Sequence, residues 1–202
     1  MSRCHAAALQ DYLLLNYKTN KVFPNHNHDA MPETLVNKVA NSRLITLKLE
    51  EYWPTAAFAA FDLKDYLYME LMLKEKDFRA SIKAHDFSQY QDKTLLVFCS
   101  TDAIVPSWAY MLVAAAAAPF SADVYLGTEA EYLRQHYRQT IDALDLEAFT
   151  DQRVVVKGCG EKQVPASAYL DITARLRPVV RSIMYGEPCS TVPVFKKPLT
   201  RK

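Results

Sequence analysis

Three of the four cysteines, Cys99, Cys159 and Cys189, follow apolar stretches of strand length in this chain of 202 residues. Glycine flanks Cys159 on both sides and a proline precedes Cys189, so the surroundings of these two cysteines resemble turns rather than core strands. Thiolates are preferred ligands of Zn²⁺ and of iron–sulfur clusters, and they also act as nucleophiles. These residue types therefore indicate either a metal site or thiol chemistry.

The elements that would position these cysteines are strands alternating with helices. This alternation is typical of a mainly parallel sheet with right-handed crossovers, so the sequence predicts an α/β fold: a mainly parallel sheet of four to six strands flanked by helices. The helix at 107–118 is apolar nearly all round, which predicts burial on most of its faces. The predicted strands are 43–52, 58–61, 94–98, 123–126, 153–157 and 179–185, and the predicted helices are 62–67, 74–85, 107–118, 129–144 and 165–176.

The carboxyl ends of parallel strands meet at one edge of a sheet, where ligand sites form. We therefore expect Cys99, Cys159 and Cys189 to meet at this rim and to hold zinc or an iron–sulfur cluster. The alternative interpretation is that each cysteine is only a small, buried hydrophobic side chain with no functional role. Asp102 and His85 are the candidates for a fourth ligand, and Gly158 and Gly160 are candidates for close approach of the cofactor to the backbone.

Two other functions stay open at this point. The first is a thiol-dependent enzyme with Cys99 as nucleophile and Asp102 or His85 nearby. The loop after Cys99, STDAIVP, contains no Arg or Gly to cradle an oxyanion, which argues against a phosphatase or a rhodanese. The second is a non-catalytic binding module whose cysteines are inert.

Composition excludes several classes of partner. The 24 Lys and Arg and 23 Asp and Glu leave a net charge of +1, which gives no reason to expect nucleic acid. The longest apolar run, at 108–118, is shorter than the roughly 20 residues that span a bilayer. With four scattered cysteines and no signal peptide, a reducing cytoplasmic location is expected. Residues 1–30 are predicted to be a loosely ordered extension, with Met31 as an alternative start, and 31–202 a single α/β domain.

Five motifs together resemble the bacterial family known as domain of unknown function 2480, over about Leu35 to Lys197. That resemblance implies no established activity. Its members tend to be found near genes for iron–sulfur cluster assembly, which implies assembly proteins as partners. The motifs are VNKVANSRLITLKLEEY, KAHDFSQYQDK, CSTDAIVPSWAYM, VVVKGC and SIMYGEPCSTVPVFKK, and the family's positions fall here on Cys99, Asp102, Pro106, Trp108, Gly158, Cys159, Glu187, Pro188 and Cys189.

Overall fold

The computed structural model of the protein describes residues 44–158, 160–187 and 190–198. By its contacts the chain divides after Leu44, so every element below, apart from Leu44 itself, belongs to the unit Ile45–Lys202. The predicted extension over residues 1–30 and the alternative start at Met31 lie outside the described residues. The predicted domain division therefore stays a prediction.

The described strands form two sheets. In chain order they are β1 (Leu44–Leu47), β2 (Phe58–Asp62), β3 (Thr94–Phe98), β4 (Asp123–Leu126), β5 (Arg153–Val156), β6 (Ser182–Glu187) and β7 (Ser190–Lys196). One sheet has the order β1-β5-β6-β7 and the other has the order β2-β3-β4. The pairs β2–β3, β3–β4 and β5–β6 are parallel, whereas β6–β7 is antiparallel.

The α/β class and the mostly parallel pairing are confirmed, but the prediction of one sheet is wrong. The four-stranded sheet is mixed, because β7 returns antiparallel along β6. Each sheet contributes buried side chains to its own cluster, so the two sheets cover different hydrophobic cores. Local sequence patterns predict the strands, but they do not show which strands pack over the same core.

Four α-helices follow the strands in the described part of the chain: α1 (Glu75–Ala84), α2 (Ser107–Ala117), α3 (Glu129–Asp142) and α4 (Ala166–Leu176). Proline precedes α2 and α4, where the missing N–H is not needed. Thr128 and Glu131 form a capping box that starts α3. Short 3₁₀ helices span Leu49–Tyr52, Leu63–Tyr66, Phe87–Tyr90 and Glu147–Phe149.

The two cores are built from different helices. In the four-stranded sheet, Val154 and Ile183 pack with Tyr137 of α3 and Ile172 of α4. In the three-stranded sheet, buried residues of α1 and α2 cover β2 and β3. The predicted burial of α2 on most faces holds in part: Ala109, Val113 and Ala117 are fully buried and four more of its side chains are partly buried against the same core, but Met111 is 70% exposed.

Within the described residues, none of the helices combines the length and the apolar composition that crossing a bilayer requires.

Candidate functional site

The loop that follows β5 is tied to the ends of two neighbouring strands. The main-chain N–H of Lys157 donates to the carbonyl oxygen of Leu47, the last residue of β1, at 2.9 Å. On the other side, Lys157 Nζ lies 3.7 Å from Glu187 Oε1, at the end of β6. The loop therefore begins at an edge where β1, β5 and β6 all end.

Gly158 makes the second connection between this loop and β6. Val156 is in register with Tyr185, and the Tyr185 ring lies so close to Gly158 that a Cβ there would overlap it. The same ring packs edge-on against Tyr169 of α4, with centroids 5.7 Å apart. Gly158 is thus required for close packing against a side chain, and its predicted role in the approach of a cofactor stays a prediction.

Glu50 holds the far end of the loop. Its Oε2 accepts the main-chain N–H of Glu161 at 3.1 Å, and it lies where a side chain at Gly160 would have to go. The 3₁₀ helix after β1 carries Glu50 to this edge. Sequence reasoning missed Glu50, because it is 111 residues away from Glu161 and has no motif of its own.

The carboxylate of Glu50 also lies close enough to a buried tyrosine of α3, Tyr137, to affect its pKa. Burial raises the pKa of Tyr137, and the neighbouring Tyr169 and Glu50 raise this pKa further. The Tyr137 hydroxyl donates to the carbonyl oxygen of Leu49 at 3.0 Å, which anchors the turn that carries Glu50. The cavity between this turn and the loop has a volume of only about 10 Å³, close to that of one water probe.

Two of the predicted ligands, Cys159 and Cys189, lie outside the described residues. Described residues that precede these two cysteines are in contact: Gly158 with Tyr185, and Lys157 with Glu187. A cation beside a cysteine favours the thiolate, and carboxylates are further zinc ligands. This edge of the four-stranded sheet thus carries one cation, Lys157, and two carboxylates, Glu50 and Glu187. Cys159 and Cys189 follow Lys157 and Glu187 in the sequence.

Cys99 follows β3, a strand of the other sheet, so it does not follow a strand that ends beside β5 and β6. Its thiol is partly buried, with Sγ 3.3 Å from Thr101 Oγ1. Burial raises the pKa of Tyr110, and nearby Cys99 raises it further. Helix α2 begins at Ser107, so Cys99 is not at its N-terminus.

The loop after Cys99 is fixed by Asp62, the last residue of β2. Its carboxylate accepts the main-chain N–H groups of Lys64 at 2.9 Å and Ser100 at 3.0 Å. Burial raises the pKa of Asp62, but the hydrogen bonds from Ser100 and Lys64 outweigh burial and the net pKa is lowered. Asp62 thus caps the 3₁₀ helix Leu63–Tyr66 and also ties the Cys99 loop to the end of β2.

His85 and Asp102, the predicted fourth ligands, have different surroundings. His85 Nδ1 lies 3.2 Å from the Tyr66 hydroxyl and Nε2 lies 2.9 Å from the Tyr90 hydroxyl. Its ring also packs edge-on against Phe61. Asp102 is exposed. Among residues 44–158, 160–187 and 190–198, no three His, Cys, Asp or Glu side chains are grouped closely enough to hold a metal ion.

A family model described as "Protein of unknown function (DUF2480)" matches residues 33–197. The chain belongs to the DUF2480 family. No curated protein and no solved structure matches it. In this DUF2480 protein, the matched range includes both the loop after β5 and the Cys99 loop, so the family membership predicted from the motifs is confirmed.

Proposed function

We propose that this protein is an accessory protein that holds a metal ion or an iron–sulfur cluster through cysteine thiolates at the carboxyl edge of the four-stranded sheet. Cys159 and Cys189 are the two ligands at the centre of the proposal. Cys99, which follows a strand of the other sheet, is the proposed third ligand on sequence grounds alone, and Asp102 and His85 remain sequence-based candidates for the fourth. Proteins of iron–sulfur cluster assembly are the proposed partners.

The contact between Gly158 and Tyr185 carries this proposal. Gly158 directly precedes Cys159, and Tyr185 lies four residues before Cys189. Because β5 and β6 are adjacent and parallel, both cysteines follow strands that end side by side. Two cysteines that hold one metal ion or cluster need this arrangement, whereas cysteines that are only buried in separate cores do not need it.

The donor set near this edge fits a thiolate-bound metal. An ammonium group such as that of Lys157 would favour deprotonated thiols beside it, which metal binding requires. The carboxylates of Glu50 and Glu187 are oxygen donors of the kind that zinc accepts beside sulfur. A bound iron–sulfur cluster would supply electron-transfer or cluster-donation chemistry, and the residues of this chain would hold it and set its exposure to solvent.

Metal content of the anaerobically purified full chain tests the proposal. We expect wild type and Cys4→Ser to retain the same amount of zinc or iron, because Cys4 is not among the proposed ligands. Cys159→Ser and Cys189→Ser should each lose most of it. Visible absorption that disappears with the metal identifies a cluster, whereas colourless metal-containing protein identifies zinc.

The role of Cys99 is decided separately. Loss of metal in Cys99→Ser supports a three-cysteine site, and unchanged content leaves the site to Cys159 and Cys189. Equal metal content in wild type and in the Cys159→Ser/Cys189→Ser variant would overturn the proposal. Circular dichroism of each variant distinguishes lost ligation from lost folding.

A further inference from the structure

A groove with a volume of about 590 Å³ lies between the start of α3 and the segment that leads into α4. This volume is within the range of small-molecule sites, roughly 300–1,000 Å³. Trp53, Leu133 and Pro165 give the groove an apolar wall. Lys162 Nζ lies 5.6 Å from the centroid of the Trp53 ring, so a cation stands at the edge of this wall.

Charges of both signs line the same groove. Arg134 and Lys162 contribute two cations, and Glu129 and Glu161 contribute two carboxylates. None of these four side chains forms an ion pair within 4.0 Å of another described residue, although Arg134 lies near enough to Glu131 to help lower the pKa of that carboxyl. Their formal charges cancel, so these four side chains together give the groove no net charge.

A ligand with a single charge would be attracted by two of these side chains and repelled by the other two. A ligand that carries both charges a few bonds apart can pair with both kinds. Its apolar part would then cover the Trp53 and Leu133 wall, where burial of apolar surface adds affinity. The complementary molecule is therefore small, zwitterionic and partly apolar.

We infer that this groove binds a small zwitterion of the α-amino acid class with an apolar side group. The carboxylate pairs with Arg134 and Lys162, and the ammonium group pairs with Glu129 and Glu161. This inference uses none of the cysteines, so it stands or falls independently of the proposed metal site.

Isothermal titration calorimetry of the full chain with L-leucine and L-phenylalanine tests this inference. We expect saturable binding with a Kd of about 1 mM or lower. N-acetyl-L-phenylalanine lacks the ammonium group and L-phenylalanine amide lacks the carboxylate. Each should bind about tenfold more weakly or worse, because one pair of protein charges is left without its partner.

Variants assign the binding to this groove. Arg134→Gln and Glu129→Gln should each weaken binding of L-phenylalanine about tenfold, whereas Lys76→Gln, on α1 and outside the groove, should leave it unchanged. Absence of binding by both amino acids would overturn the inference, as would equal binding of the N-acetyl analogue. Since the analogues are compared on wild type, the test holds even where a variant fails to fold.

Discussion

The ring of Tyr185 occupies the space that a side chain at residue 158 would need, and Gly158 has no side chain to compete for it. This contact joins the end of β5 to β6 immediately before the first of the two cysteine positions. It also shows why a glycine is needed at this place for packing. Gly158 is not among the glycines with positive φ, so its backbone conformation is one that alanine also adopts.

Gly158→Ala should lower the free energy of unfolding by about 1 kcal/mol, because the Tyr185 ring must move aside. In a Tyr185→Ala background the same substitution should have a much smaller effect. Urea unfolding of the four proteins in this double-mutant cycle measures the coupling. Equal effects of Gly158→Ala in both backgrounds would refute the contact as the cause.

Glu50→Gln should loosen the loop after β5, since a neutral amide accepts the Glu161 N–H more weakly than a carboxylate does. A loss of about 1 kcal/mol in the free energy of opening corresponds to a roughly fivefold larger population of the open loop, and so to roughly fivefold faster exchange of the amide. Hydrogen exchange of the Glu161 amide reports this directly. Glu51→Gln is the matched control, because Glu51 pairs with Lys48 at the exposed surface and should leave that amide unaffected.

Asp62→Ala should destabilise the protein by about 1 kcal/mol at neutral pH, because Lys64 and Ser100 lose their acceptor. The folded-state pKa of Asp62 is lowered, so its stabilisation is present above the unfolded carboxyl pKa of about 3.9 and is lost as the pH falls. The difference from wild type should therefore shrink on acidification in chemical denaturation. A difference that grows towards low pH would contradict this assignment. Asp65→Ala serves as the control from the same turn.

Tyr137→Phe should cost about 1–2 kcal/mol, because the buried carbonyl of Leu49 loses its donor. Burial raises the folded-state pKa of Tyr137, so its contribution is present below the unfolded pKa of about 10 and declines at higher pH. Unfolding curves at neutral and alkaline pH check both statements. Tyr68→Phe, at an exposed tyrosine, should change stability little, and an equal loss there would contradict the role of the buried bond.

Much of the fold could be predicted because its signals are local. Pro106 and Pro165 mark the starts of two helices, which the sequence predicts at 107–118 and 165–176. Strand β7 was missed, since Pro193 lies within it and the following lysines resemble a solvated end. An edge strand tolerates proline, because the backbone N–H groups on its outer side have no neighbouring strand to donate to.

The site was harder to predict because it depends on strand pairing. The positions that flank Cys159 and precede Cys189 are close, since β5 and β6 are neighbours, but Cys99 follows a strand of the other sheet. Nothing in the local sequence separates these two cases. Glu50 reaches the loop only through the order β1-β5, which no periodicity in the chain reveals.

Disulfide mapping tests the proximity of Cys159 and Cys189 most directly. Metal-free Cys4→Ser/Cys99→Ser protein is oxidised mildly, the remaining thiols are alkylated, and the tryptic peptides are identified by mass spectrometry. Cleavage after Lys157, Lys162, Arg181 and Lys196 places the two cysteines in separate peptides, 158–162 and 182–196. We predict that these two peptides are recovered joined to each other within one chain. Recovery of both only as separately alkylated peptides would contradict a shared thiolate site.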